Sequence, residues 1–202
     1  MESMSDLRME IGLTGEIMAE GRMMSDADAI AAVQEGQREV YQIIVQRYMQ
    51  KAYYLALGFV HNHQDALDLS QDAFIRAFRK IKKFDNRKPF FPWFYRVVRN
   101  LCLDHIKRRR VRNEIPLAEN LILREEDRDR EMKSVLRRGL GQLPFEQKEL
   151  ILLRYFQQLS YREIAELTGR PLGTVMSALF YAKKRLREIL IPYLEKDGDG
   201  AK

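Results

Sequence analysis

Between Lys82 and Arg99, cations alternate with rings: Lys82, Lys83, Arg87, Lys88, Arg96 and Arg99 lie among Phe84, Phe90, Phe91, Trp93, Phe94 and Tyr95. Cations neutralise phosphates and aromatic faces receive unstacked bases, so this pattern suits a single strand of nucleic acid. A duplex alone needs only the charges. The chemistry is therefore recognition rather than bond-breaking. Phe94 is in register with Val97, Val98 and Leu101, which assigns it to the core side of a helix. Phe84, Phe90 and Phe91 fall in a proline-bounded loop between two helices, where burial is harder. Core filling is the competing reading for each ring.

The charge around these rings is concentrated. From Arg76 to Arg112 there are fourteen Lys and Arg residues against Asp85 and Asp104, a local net of +12 in a chain whose total is only +6. Such a segment favours an anionic partner. Just before it, Asp65, Asp68 and Asp72 recur at spacings of three and four and so share one helical face. That stripe is either a solvated face or a contact for a basic partner. Catalytic and metal readings find little support. His61 and His63 would diverge on a helix, His105 stands alone, and neither a Gly-rich phosphate loop nor a nucleophile elbow occurs. Cys102, the single cysteine, excludes an intrachain disulfide and reads as core filler. No apolar run reaches the roughly twenty residues that span a bilayer, so membrane insertion is not expected and the chain reads as soluble and cytoplasmic. No cofactor is implied.

A second recognition element lies further on. Ser160 can cap a helix with Glu163 reaching back to it, and Ile164, Ala165 and Leu167 give that helix an apolar face. Gly169 permits a turn, and Pro171 suits the first position of a following helix. Helix, tight turn and helix make a helix-turn-helix, whose second helix can enter a major groove. A helical hairpin with a glycine in its turn has the same pattern.

These segments need positioning by a scaffold, and the periodicity predicts an all-α one. Ala29 to Val33, Val40 to Tyr48, Tyr53 to Val60 after a short break, Ala66 to Ile81, and Pro92 to about Arg110 keep a helical period, while strand signatures are almost absent. From Glu114 to Glu131 seven acidic residues face three arginines and Pro116 interrupts, so 113–131 reads as a solvated acidic linker. Helices resume from about Met132, with Leu143-Pro144 opening one that contains Leu150 to Leu153 and Phe156. The expected organisation is a leader over 1–24, one helical domain over 25–112, the flexible linker, a second domain with the helix-turn-helix over 132–196, and a polar tail over 197–202.

Over about residues 25 to 196 the chain resembles the extracytoplasmic-function sigma factors of bacterial RNA polymerase. Asp68-Leu69-Ser70-Gln71-Asp72-Ala73-Phe74 is similar to the family's polymerase-clamp motif, and Trp93-Phe94-Tyr95-Arg96-Val97-Val98-Arg99-Asn100, with Asp104 and Arg108, to its promoter-melting helix. Leu143 through Leu186 resembles the domain that reads the minus-thirty-five element. The resemblance implies that Asp65, Asp68, Leu69, Gln71, Asp72 and Phe74 meet core polymerase, which decides the reading of the acidic stripe. It implies a minus-ten surface of Lys83, Phe84, Arg87, Lys88, Phe90, Phe91, Trp93, Arg96, Arg99, Asn100, Lys107 and Arg108. Phe84, the loop after it and Asn100 would capture a flipped-out base. It further implies that Arg170, Pro171, Gly173, Thr174, Ser177, Phe180, Tyr181 and Lys184 meet the minus-thirty-five duplex. Core RNA polymerase and promoter DNA, duplex and melted, are the implied partners, and an anti-sigma protein is a further one that the family admits. The acidic linker would pass the RNA-exit region of the polymerase.

The recognition helix departs from the family pattern, which places arginines where this chain has Ala178 and Tyr181. Spacing puts Thr174, Ser177, Tyr181 and Lys184 opposite Val175, Leu179, Ala182 and Leu186. Two other readings use parts of the same sequence. A free-standing helix-turn-helix regulator would bind duplex DNA as a dimer, and an RNA-binding adaptor would use only the aromatic loop.

Overall fold

The computed structural model describes residues 24–111 and 135–194, so the leader before Met24, the acidic linker and the tail lie outside the described residues. Every regular element among them is helical. They form two compact units: one from the described parts of 1–56 and 65–113, the other from those of 57–64 and 114–202. The sequence boundaries did not anticipate the grouping of 57–64 with the second unit.

The first unit holds α1 (Asp26–Gln34), a 3-10 turn (Arg38–Val40), most of α2 (Tyr41–Val60), α3 (His63–Lys80), a second 3-10 turn (Ile81–Lys83) and α4 (Phe90–Val111). Ser25 caps α1 by accepting from the Asp28 amide. Asp26 takes hydrogen bonds from Arg47 and Tyr48, fastening α1 to α2. α2 runs without the expected break, because Met49, Gln50 and Lys51 form its exposed face and none of them stops a helix. α4 begins at Phe90 rather than Pro92, since a proline in the first turn forfeits an amide that has no helical partner there. Tyr41, Ile44, Leu55, Phe74, Phe94 and Leu101 fill the core, each contributing about 1.5–3 kcal/mol on burial. The Tyr41 hydroxyl donates to the Phe74 carbonyl at 2.9 Å, and burial raises its pKa. Cys102 is buried here too; its thiol is pushed up to about 12, which suits a filler.

The second unit contains α5 (135–141), α6 (Phe145–Ile151), α7 (Tyr161–Thr168) and α8 (Leu172–Leu194). Pro144 precedes α6, its carbonyl accepting from the Lys148 amide at 3.0 Å. Beyond Ile151 the helix widens into a π turn over Leu152–Phe156. Wider turns shift the register. Leu150 to Leu153 are all buried, whereas Phe156, expected on the same apolar run, is exposed. Ile164, Leu167, Val175, Leu179 and Ala182 complete this core.

Candidate nucleic-acid interface

The helix-turn-helix is built as its spacing requires. The Ser160 Oγ accepts from the Glu163 amide at 3.2 Å, and the Glu163 carboxylate accepts from the Ser160 amide at 2.7 Å. These bonds hold the Glu163 carboxyl below the usual carboxylate range. α7 ends at Gly169, whose φ of +69° lies in the left-handed region that glycine enters without strain. Pro171 sits just before α8 rather than in its first turn, and its carbonyl accepts from the Val175 amide at 3.0 Å. α8 turns Val175, Leu179 and Ala182 into the core and leaves Thr174, Ser177, Tyr181 and Lys184 exposed. Gly173 is exposed on the same side, and nothing lies within 4 Å of where a Cβ would stand.

Two of the expected contacts are already engaged. Arg170 donates to Glu149 at 3.1 Å. The Ser177 hydroxyl lies 3.0 and 3.1 Å from the Gly173 and Thr174 carbonyls, so its proton is committed to its own helix. Phe180 and Tyr181 stand out from the surface in a T-shaped pair with centroids 5.5 Å apart.

In the first unit the cations face outward and most rings inward. Arg96, Asn100 and Lys107 are exposed and recur at i, i+4 and i+11, one face of α4, with Lys83, Lys88 and Arg108 also exposed. Arg99 is half-buried. Arg87 is exposed and pairs with Asp85 through Nε at 2.9 Å, which holds the Asp85 carboxyl below its ordinary range. The expectation that the loop keeps its rings on the surface is corrected for Phe90, which opens α4 and is 1% exposed, and for Phe84, which is buried against Phe90 and Trp93. The cause lies in α1. Gln34 Nε2 donates at 2.8 Å to both the Ile81 and Phe84 carbonyls, tying down the segment and turning the Phe84 ring inward. Phe91 and Trp93 are half-buried; Phe91 stacks on Tyr48, with the Lys51 ammonium 5.3 Å above its ring.

The acidic stripe divides similarly. Asp68, Gln71 and Asp72 are exposed on α3, whereas Leu69 and Phe74, expected to meet a partner, are buried and instead hold the helix in place. Asp65 is engaged within the unit: Arg109 donates to it at 2.8 Å and the His105 ring lies 3.2 Å away.

Two family models match in order along the chain: Sigma-70 region 2 over residues 44–112 and Sigma-70, region 4 over residues 133–186. RNA polymerase sigma-H factor of Pseudomonas aeruginosa is 30% identical over 191 residues, spanning 85% of this chain and 96% of that protein. ECF RNA polymerase sigma factor SigW of Bacillus subtilis is 30% identical over 176 residues, 80% and 94% of the two chains.

The chain belongs to the extracytoplasmic-function group of the sigma-70 family.

As a sigma factor it binds core RNA polymerase, directs it to promoters and helps open DNA for transcription initiation. The dimeric regulator and the RNA adaptor thereby lose their place. The fold is also that of the sigma factor RpoE from Bartonella quintana, solved with the anti-sigma factor NepR, at a TM-score of 0.62 and 22% identity over 74% of this chain and 96% of that one. No described helix is long and apolar enough to cross a membrane. Sequence reasoning on this sigma factor missed Gln34, Glu149 and Lys148. Only the polar identity of Gln34 inside an otherwise apolar helix end hinted at a structural bond.

Proposed function

We propose that the sigma factor divides its work between residues 25–112, which hold polymerase and open the promoter, and residues 132–196, which anchor upstream, with 113–131 as the tether. Asp68, Gln71 and Asp72 offer core polymerase an acidic edge on α3. The α4 face of Arg96, Asn100 and Lys107, with Lys83, Lys88 and Arg108, takes the backbone of the melted strand. Extruding a base costs a few kcal/mol, and a partly exposed Trp93, two turns before Asn100 on the same flank of α4, offsets that by stacking while Asn100 supplies a hydrogen bond. Phe84 is the wall behind this site rather than its stacking face. Arg170 and Pro171 through Lys184 address the minus-thirty-five duplex. The observation that carries this reading is the outward presentation of Thr174, Ser177, Tyr181 and Lys184 on a helix whose other side is sealed into the core. The protein acts through binding energy, with no catalysis and no cofactor of its own, in the cytoplasm with the polymerase. An anti-sigma protein that covers the acidic edge or the α4 face would silence it. Run-off transcription with core polymerase tests the whole: transcripts from promoter DNA only when both proteins are present support it, and tight operator binding by the isolated chain without polymerase overturns it.

A further inference from the structure

We propose that this sigma factor reads its upstream promoter element chiefly through the methyl groups of thymine, using Phe180, Met176 and the ring of Tyr181. The inference rests on the reading that α8 enters the minus-thirty-five major groove, and it specifies what that helix recognises there.

Polar readout from α8 is limited, one residue at a time. Guanine presents two acceptors in the major groove and is met by a bidentate Arg or Lys. Arg170, the arginine nearest the start of the helix, has its guanidinium drawn 3.1 Å from the buried Glu149 carboxylate. Ser177 points its proton back at the Gly173 and Thr174 carbonyls and is left as an acceptor. Gly173 has no side chain. The remaining cations, Lys183, Lys184, Arg185 and Arg187, come only in the fourth and fifth turns of α8. A helix that inserts its N-terminal end brings such later residues to the phosphates rather than to base edges.

Beside the short Thr174 hydroxyl, the large side chains that α8 presents ahead of those cations are apolar or aromatic. Met176 is 50% exposed, and Phe180 and Tyr181 are 60% exposed each. Met176 and Phe180 stand one turn apart, so their side chains form a continuous ridge along one flank of the Thr174–Ser177–Lys184 face. Tyr181 packs edge-on against Phe180 and extends that ridge across the face. Exposed large apolar groups in a row mark a binding surface. The ring of later cations beside them identifies the occupant as polyanionic, and the apolar group that duplex DNA offers in its major groove is the C5-methyl of thymine. The helix is thus matched to thymine-bearing steps and poorly equipped for guanine.

The test uses the full chain bound to core RNA polymerase. Functional promoters are selected from a library randomised both upstream and at the melted region. Each upstream thymine of a selected promoter is then replaced singly by deoxyuridine, which removes one methyl and leaves every hydrogen-bonding group in place. Loss of one buried methyl corresponds to about a fourfold weaker holoenzyme complex. We expect that loss at two or more upstream positions in the wild-type complex, its disappearance in Phe180→Ala, and a gain of guanine at one selected position in Tyr181→Arg. Equal affinity for thymine and deoxyuridine at every upstream position, with an upstream footprint still present, overturns the methyl readout alone. Absence of any upstream sequence preference overturns the placement of α8 and this inference with it.

Discussion

The Arg170 guanidinium donates to the Glu149 carboxylate at 3.1 Å, and the two ends of that pair differ sharply in setting: the carboxylate side chain is 1% exposed and the arginine 25%. The pair joins α6 to the turn between α7 and α8, so a charge proposed for DNA by its position in the sequence also braces the turn from which α8 leaves. Arg170→Ala leaves a buried carboxylate short of a donor and is expected to lower stability by about 1–3 kcal/mol in denaturant titration. Glu149→Gln keeps the shape and weakens the bond. It should cost less and should loosen upstream promoter selectivity while leaving polymerase capture intact.

The capping box gives a local and separable effect. Ser160→Ala removes the acceptor of the Glu163 amide and the partner that orders the Glu163 side chain. An N-cap of this kind stabilises by about 1 kcal/mol, so the melting temperature should fall by a few degrees with no change in the helical circular dichroism of the folded state. Ser160→Asp, which keeps an acceptor at the cap, should restore most of the loss.

Acid should weaken the second unit through His61. Its Nε2 lies 2.8 Å from the Lys148 ammonium, and burial together with the Lys148 and Arg137 charges lowers its pKa to about 3. The imidazole therefore stays neutral in the folded chain and accepts from Lys148. An unfolded chain takes up a proton near pH 6.5, which the folded one refuses. The group's contribution is thus complete above about pH 7 and is lost as the pH falls from 6.5 toward 3, with a slope of at most about 1.4 kcal/mol per pH unit. Urea midpoints measured between pH 7 and 4 should decline, and His61→Asn should flatten that decline while lowering the starting value at pH 7.

Local elements were legible where one stretch of sequence decides them. Ser160, Glu163, Gly169 and Pro171 act on neighbours three or four residues away, and the structure places each bond within that reach. The outward set of Thr174, Ser177, Tyr181 and Lys184 follows from the same short-range periodicity. The fate of the rings does not. Phe84 turns inward because Gln34, 50 residues earlier, holds its carbonyl, and Asp65 leaves the exposed acidic edge because Arg109, 44 residues later, reaches it. Pairings at such separations depend on how helices pack, which a one-dimensional pattern does not encode. The π turn escaped notice for a related reason: burying Leu150 through Leu153 together requires a register shift that periodic counting assumes away.

Charge reversal on α3 tests the polymerase contact without disturbing the fold. Asp68 and Asp72 are exposed, whereas Leu69, Ala73 and Phe74 on the other side carry the packing. Asp68→Lys with Asp72→Lys should shift stability by no more than about 1 kcal/mol and yet abolish capture of core polymerase in a pull-down. Undiminished capture would move the contact elsewhere.

Base capture is best tested at Asn100, because burial makes Phe84 an ambiguous target. Truncating the Phe84 ring empties a core site between Phe90 and Trp93 and should itself cost about 3 kcal/mol, so lost transcription in that variant reports folding as much as recognition. Asn100 is exposed on α4 beside Arg96, and Asn100→Ala removes a hydrogen-bonding edge with no cavity. Holoenzyme carrying Asn100→Ala should bind closed promoter at near wild-type affinity and form open complex about tenfold less, as read by permanganate footprinting of unpaired thymines. A promoter opened in advance by a mismatched bubble should recover part of that loss, because the flipping energy no longer comes from the protein. Equal loss of closed and open complex would assign Asn100 to the initial encounter instead.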